Sequence, residues 1–326
     1  LRSIQAFALD LIQEVGKAHP YAELVLNATG GTKLMAMGFV DMFRGEAARI
    51  IYTDTAHRRI EFLSQNHGPA ADPMPMKDVL DVPRYLAAQG FRFVRAVSDD
   101  PEWRRRADAR KAACKHLGRN ASALDDFVGI MNALAEAALE EPPGGPPRLR
   151  EPWQRFRNQP RGAWLAALQV LGRAGLIRLA DNTRDFEFVD VDAARFLRGG
   201  WLEEYAWHVV ADEGTFDARM GVEGVWHGNA GGHNEFDVLA CHGNQMLFIE
   251  CKTVRYQGGN ESDIAYKVDS LGADARGLFG QTWLLSARQP TELLRARATQ
   301  AGFTVVAPAE LPKLRERVRV WKAGHM

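Results

Sequence analysis

Residues 235–253 read EFDVLACHGNQMLFIECKT, two strand-like runs joined by a tight polar turn. FDVLAC and MLFIECK flank HGNQ, and the Gly-Asn pair inside that turn favours a hairpin. Side chains alternate along a strand, so Glu250 and Lys252 share one face while Ile249 and Cys251 share the other. Asp237 lies near the start of the first strand, and pairing across the hairpin brings its carboxylate towards Glu250 and Lys252. A Glu and a Lys two apart are common on solvated strands. Here, however, LFIECKT surrounds them with residues that favour burial, where charge is costly unless it is paired or bound to a metal.

The grouping has a chemical logic. Two carboxylates on one edge can hold Mg²⁺ or Mn²⁺, hard ions that prefer oxygen ligands and keep bound waters. Such an ion polarises a phosphodiester oxygen and acidifies a bound water. A nearby ammonium, here Lys252, helps position that water and offsets charge on phosphorus. A third carboxylate lies upstream in GGWLEEYAWHVV (199–210), a helix whose apolar face is Trp201, Leu202, Tyr205 and Val209. Glu203 and Glu204 flank that face on opposite sides, and periodicity does not choose between them. Asn234 and Glu235 are further candidates beside Asp237, with a plain polar turn as the competing reading. His227, His233 and His242, with Cys241, lack the paired spacing of a zinc site and read as surface or turn residues. Downstream, AYKVDSLGADARGLFGQTWLL (265–285) reads as a helix and then a strand beside the hairpin. Lys267 and Gln281 could approach a phosphate from it, although Lys267 reads more simply as a solvated helix position.

Working outward, the chain divides into three regions, 1–118, 119–198 and 199–326. In the first, Leu1, Ile4, Phe7, Ala8, Leu11 and Val15 recur at helical spacing. AELVLNAT follows as a buried strand, GGTKLMAMGFVDMF as a glycine turn and helix, ARIIYTDT as a second strand and RRIEFLS as its hairpin or edge neighbour. This order is that of a Rossmann-like parallel sheet. The strand expected to open such a unit does not precede Leu1. The turn places Thr29, Gly30, Gly31, Thr32 and Lys33 between a strand end and a helix start, where backbone N–H groups and the helix dipole favour an anion. It is neither a Walker A loop nor GxGxxG, and Thr32 as a simple helix cap is the plainer alternative. The middle region holds EEPPGGPPRLREP, whose prolines and glycines mark a boundary or excursion. Beyond it, helix, glycine turn, strand, Asp-Asn turn and strand give a winged-helix-like order, a module that either touches DNA or serves as a spacer.

Composition excludes little. The 326 residues carry 41 Lys and Arg against 41 Asp and Glu, so no global basic field advertises nucleic-acid binding. Three scattered cysteines, Cys114, Cys241 and Cys251, argue against a disulfide framework and for a reducing cytosol. No apolar run reaches membrane-spanning length, and no signal peptide is evident.

NATGGTKLMAMG, DVPRYLAAQGF, GGWLEEYAW, NEFDVLA and IECKT, in that order across nearly the whole chain, resemble the CRISPR-ancillary nucleases that join a CARF sensor domain to a PD-(D/E)XK nuclease. The similarity is to the single-CARF, homodimeric members. It implies an α/β chain of three parts: a Rossmann-like CARF domain, the winged-helix-like module and a C-terminal restriction-endonuclease-like domain. It implies further that cyclic tetra-adenylate binds across a two-fold axis, contacted by Thr29, Gly30, Gly31, Thr32 and Lys33 with Asn27 beneath. Binding would then license cleavage or nicking of supercoiled or single-stranded DNA, with single-stranded RNA a further substrate, in type III CRISPR defence. The family's motifs map onto Asp237, Glu250 and Lys252, with Glu203 as the helix carboxylate and the Cys251 carbonyl as an additional metal ligand. Two other readings stay open: a restriction-type endonuclease with no small-molecule activator, and a non-enzymatic nucleotide sensor that only binds nucleic acid.

Overall fold

The computed structural model describes residues 1–46, 48–55, 57–63, 70–227, 233–256, 260–277 and 280–324. Contacts divide the chain into two compact units, Leu1–Lys77 and Asp78–Met326.

The first unit runs α1 (Arg2–Ala18), β1 (Leu24–Asn27), α2 (Lys33–Phe43), β2 (Ala48–Asp54), β3 (Arg59–Phe62) and β4 (Met74–Pro75). β1 and β2 are parallel neighbours, as a strand–helix–strand crossover requires. β3 returns antiparallel on β2, and β4 on β3, giving the sheet order β1-β2-β3-β4. Ile12 of α1, Phe43 of α2 and Ala48 and Ile50 of β2 form its small core. The helix–strand–turn–helix–strand order expected of LRSIQ through TDT is thus the order observed.

The second unit begins with α3 (Val82–Ala88) and β5 (Phe91–Ala96), followed by α4 (Pro101–Arg119) and α5 (Asp125–Ala138). The Pro-Gly excursion is closed at its base by a two-stranded ribbon, β6 (Leu139–Glu140) with β7 (Arg148–Leu149). A three-stranded sheet and helix come next: β8 (Trp153–Arg155), α6 (Ala163–Arg173), β9 (Ile177–Leu179) and β10 (Asp185–Phe188), in sheet order β8-β10-β9. This is the winged-helix-like order read from the sequence, sealed by Phe156, Phe186 and Phe188. α7 (Val191–Arg195) bends through Phe196–Gly200 into α8 (Trp201–Asp212).

The large sheet is built from β11 (Asp217–Trp226), β12 (His233–His242) and β13 (Gln245–Lys252), then α9 (Asn260–Arg276), β14 (Gln281–Ser286), α10 (Glu292–Ala301), β15 (Thr304–Val306) and α11 (Leu314–Ala323). Its order is β15-β14-β13-β12-β11-β5. β11, β12 and β13 form an antiparallel meander, while β13, β14 and β15 are parallel. α8 buries Trp201, Leu202, Tyr205 and Val209 against the face of the sheet that carries Val238, Leu247 and Ile249. Aliphatic and aromatic burial of this size is the dominant favourable term for the unit.

The domain boundary differs from the sequence expectation. Residue 118 was the expected end of the first domain, but the compact unit ends at Lys77 and β5 is the edge strand of the second unit's sheet, antiparallel to β11. The cause is aromatic packing: the Phe91 ring meets Trp226 edge-on at 4.9 Å and Phe236 at 5.2 Å. Among the described residues, no helix is long and apolar enough to cross a membrane.

Candidate active site

The hairpin decides the site. β12 and β13 pair from His242↔Gln245 to Val238↔Ile249, and the turn residues Gly243 and Asn244 both have positive φ, 60° and 57°. That is the type I′ geometry of a two-residue loop, and it accepts Asn and Gly with little penalty. The Asn244 side chain also accepts backbone N–H groups from Val79 at 2.9 Å and Leu80 at 3.1 Å. One step past the last ladder pair, Asp237 stands opposite Glu250, and its Oδ2 accepts the Cys251 N–H at 2.7 Å. The expected juxtaposition is therefore present.

Glu250 is fully buried, yet lies against two ammonium groups. Lys252 Nζ donates to Glu250 Oε1 at 2.5 Å and Lys267 Nζ donates to the same oxygen at 3.1 Å. The other oxygen, Oε2, is buried with no hydrogen-bond partner among the described residues. Lys252 also reaches the Cys251 carbonyl, 3.3 Å away. Burial works against the charge on Lys252, but Glu250 and then Asp237 outweigh it and hold its pKa above the ordinary lysine value. Burial pushes the Asp237 carboxyl up to about 7, and the charge of Glu250 adds to the shift. Glu203, in the first turn of α8, is driven well above the usual carboxylate range by burial, then by Asp237 and by Glu235 two residues before it on β12.

Three carboxylates thus crowd around one pair of ammoniums, unable all to ionise together, with one buried oxygen unsatisfied among the described residues. A buried acceptor without a donor is costly, and a group of like charges that cannot all ionise alone suits a cation of charge two. The residues present fit a hard divalent ion: oxygen donors only, on two paired strands and the first turn of α8, with an ammonium alongside.

The adjacent glutamates separate cleanly. Glu203 joins Asp237 and Glu250, whereas Glu204 is buried on the other side of α8 and is clasped by Arg110, whose Nε donates to Glu204 Oε2 at 2.8 Å and whose Nη2 donates to Oε1. Arg110 also pairs with Asp192. Cys114, Glu204 and His208 gather closely enough to suggest a metal cluster. The guanidinium already occupies the Glu204 carboxylate, and His208 Nε2 lies 3.1 Å from the Ala107 carbonyl oxygen, the N–H donating. Burial lowers the His208 pKa to about 4, so the ring is a neutral, satisfied member of the core.

Lys267 is the residue the sequence reading undervalued. A solvated helix face was its expected setting, but α9 packs on β13 and delivers its ammonium to Glu250. Gln281 is not nearby in register: it pairs with Leu247, three positions from Glu250, and accepts the Trp283 indole N–H at 3.2 Å. Cys241 is buried and His242 faces Asp78, with Nδ1 and Oδ2 3.5 Å apart. His233 is exposed at the start of β12.

In the first unit the glycine turn lies at the carboxyl ends of the parallel strands β1 and β2. Asn27 Oδ1 accepts the Thr29 N–H at 3.1 Å and its hydroxyl at 2.6 Å, and Thr29 Oγ1 accepts the Thr53 N–H at 2.7 Å. Thr32 caps α2 by accepting the Met35 N–H at 3.3 Å. Thr29 through Lys33 are all exposed. The turn is therefore prebuilt by its own polar side chains, with the Lys33 ammonium at an open helix N-terminus.

Comparison with known proteins assigns both ends of the chain to domain families. Residues 2–85 match the Card1 CARF domain and residues 190–325 match the Card1-like endonuclease domain. No curated protein matches the chain. Protein VC1899 from Vibrio cholerae shares the fold, with a TM-score of 0.79 at 21% identity over 99% of this chain and 81% of that one. Can2 from Sulfobacillus thermosulfidooxidans, solved in complex with cyclic tetra-adenylate, is similar with a TM-score of 0.67 at 25% identity over 98% of this chain and 81% of its own. The chain therefore joins a Card1-type CARF domain to a Card1-like endonuclease domain, and it is a CARF nuclease.

Proposed function

We propose that this nuclease is switched on by a cyclic oligoadenylate, cyclic tetra-adenylate first among the candidates, and cuts nucleic acid with Mn²⁺ or Mg²⁺ at Asp237, Glu250 and Lys252 in type III CRISPR defence. The observation that carries the catalytic half is Glu250, a fully buried carboxylate with one oxygen unsatisfied and the other held by Lys252 and Lys267. Asp237, Glu250 and the Cys251 carbonyl are the proposed metal ligands, with Glu203 as the helix carboxylate. When bound, the ion supplies Lewis-acid charge stabilisation and an acidified water. Lys252 orients the attacking water and offsets charge on the phosphorane, a role its retained proton suits. Glu203, whose pKa burial and then Asp237 and Glu235 raise above the usual carboxylate range, is the proposed proton donor to the departing oxygen.

The sensing half rests on the turn. Asn27 and Thr29 fix its backbone, Gly30 and Gly31 let a phosphate approach closely, and Thr32 and Lys33 open α2 towards it. The similarity to Can2, whose structure holds cyclic tetra-adenylate, supports that ligand. A homodimer, with the ligand across its two-fold axis, follows from the same reading. The substrate we propose is DNA, supercoiled or single-stranded, with single-stranded RNA as a second one.

The test is to incubate the full chain with supercoiled plasmid and Mn²⁺, with and without cyclic tetra-adenylate, and to follow nicked product. Cleavage only with the activator is expected. Equal cleavage without it would replace the gated reading by a restriction-type one, and binding without cleavage in any metal would leave a nucleotide sensor.

A further inference from the structure

A cleft of about 840 Å³ opens in the second unit where the catalytic strand ends. Thr253, the residue after Lys252, lines it together with Ile130 of α5, Trp164 of α6, Arg198 of the bend before α8, and Arg255. From these observations we infer that the cleft is the channel for a single-stranded segment of the nucleic acid beside the scissile phosphate, with Arg198 and Arg255 on its phosphates and Trp164 under an unpaired base. The inference rests on the nuclease reading above and names where its substrate lies.

Position comes first. Three residues of chain span at most about 10 Å, so the Arg255 backbone lies no further than that from Lys252. The floor is rigid: Asn132 Nδ2 donates to the Thr253 carbonyl at 3.1 Å and to its hydroxyl at 3.0 Å. The bend carrying Arg198 is drawn against that floor because residue 199 is glycine, at φ 154°, and a Cβ there would lie 2.8 Å from Thr253 Oγ1. Arg198 is thereby fixed at the mouth of the catalytic strand.

Charge and stacking follow. Arg255 pairs with Asp126 at 2.9 Å, and Arg198 with Glu136 at 3.2 Å and more loosely with Glu141 at 3.5 Å; all three acids are exposed, Asp126 and Glu136 at 71% and 70%. Exposed ion pairs of this kind contribute about 0–1 kcal/mol, so a phosphate that offers bidentate, charge-assisted bonds displaces them readily. Arg288 is different: it is only 4% exposed and is anchored on Asp125 at 2.8 Å, a structural strut for the cleft wall. Trp164 leans on Phe127 and Phe156, with ring centroids 5.8 and 6.3 Å away, and is part-buried, leaving an indole surface in the cleft. A rigid aromatic surface beside guanidiniums is the combination that binds unpaired bases and their backbone without sequence preference. It also gives the winged-helix-like module a task, since α6 brings the tryptophan.

The test uses the full chain carrying Glu250→Ala, so that nothing is cut, with Mn²⁺ and cyclic tetra-adenylate present. Fluorescence anisotropy of fluorescein-labelled dT20 measures its affinity across a salt series. Adding Arg198→Ala and Arg255→Ala should weaken binding at least tenfold and flatten the logarithmic salt slope by about 1.4, the value for two lost single-strand phosphate contacts. Trp164→Leu should weaken it by about fivefold or more. Asp126→Asn, which removes one resident acidic partner of Arg255, should tighten binding, an outcome that misfolding cannot imitate. Unchanged affinity and salt slope in the double arginine variant, or weaker binding with Asp126→Asn, would overturn the cleft assignment. Failure of the nuclease reading looks different: the chain with Glu250 intact would then leave dT20 uncut under every condition.

Discussion

Two acidic clusters lie on opposite sides of α8, one residue apart in sequence, and they have solved the same electrostatic problem in opposite ways. Around Glu204 a single guanidinium meets the carboxylate with two hydrogen bonds, Asp192 takes another arm of Arg110, and every group has a partner. Around Glu203, Asp237 and Glu250 the charges do not balance, Asp237 is pushed up to about 7, and a buried oxygen lacks a donor. The difference teaches how to tell a structural ionic cluster from a site awaiting a ligand. The gathering of Cys114, Glu204 and His208 satisfies a distance criterion for metal ligation, but its charge is already neutralised. An incomplete cluster is the one with chemistry left to do.

The comparison can be broken from either side. The largest expected effect is on cleavage: Glu250→Ala should reduce the cleavage rate by about 10³-fold or more while the chain still unfolds cooperatively. A plasmid-nicking time course beside a melting curve checks it, and retained cleavage would remove Glu250 from the site. On the other side, Glu204→Ala strands a buried guanidinium and should lower stability by about 3 kcal/mol. Denaturant unfolding measures this, and a cost near zero would mean that the pair with Asp192 suffices.

A subtler effect concerns the balance itself. A carboxyl at about 7 in the folded chain against an ordinary unfolded value holds a proton that the unfolded chain releases between roughly pH 4 and 7. Metal-free stability from this group is thus greatest at low pH and falls as pH rises through 7. Asp237→Asn should accordingly raise the metal-free Tm at pH 8 by roughly 4 °C, from about 2 kcal/mol of relieved burial, and change it little near pH 4. The same proton must leave when a cation arrives, so Mn²⁺ affinity should drop up to about tenfold per pH unit below 7. Calorimetry in two buffers of different ionisation enthalpy would count the protons. The smallest effect is expected at the balanced cluster: Cys114→Ser and His208→Gln should leave Mn²⁺ affinity unchanged, and a weakened site would make that cluster a ligand after all.

Much of this was legible in the chain, for physical reasons. Strand alternation over MLFIECK puts Glu250 and Lys252 together, and the Gly-Asn turn sets the register that brings Asp237 to them. Periodicity did not separate Glu203 from Glu204, because α8 is buried on nearly every side and the apolar pattern loses its phase, and only the family resemblance named Glu203. Lys267 was hidden for another reason: its approach to Glu250 depends on how α9 lies on the sheet, which a helical pattern does not encode. The boundary near residue 118 failed because β5 pairs with β11 more than a hundred residues away, a long-range register that local sequence does not announce. The arginines of the cleft, scattered at 198 and 255 and 288, look like ordinary surface charges until the chain folds.

The hydrogen bonds from Val79 and Leu80 to Asn244 have a mechanical meaning. The first unit ends at Lys77, and two residues later the backbone is fastened to the turn that joins β12 to β13. The start of the second unit is thereby tied to the tip of the hairpin, at the far end of an eight-residue strand from Lys252.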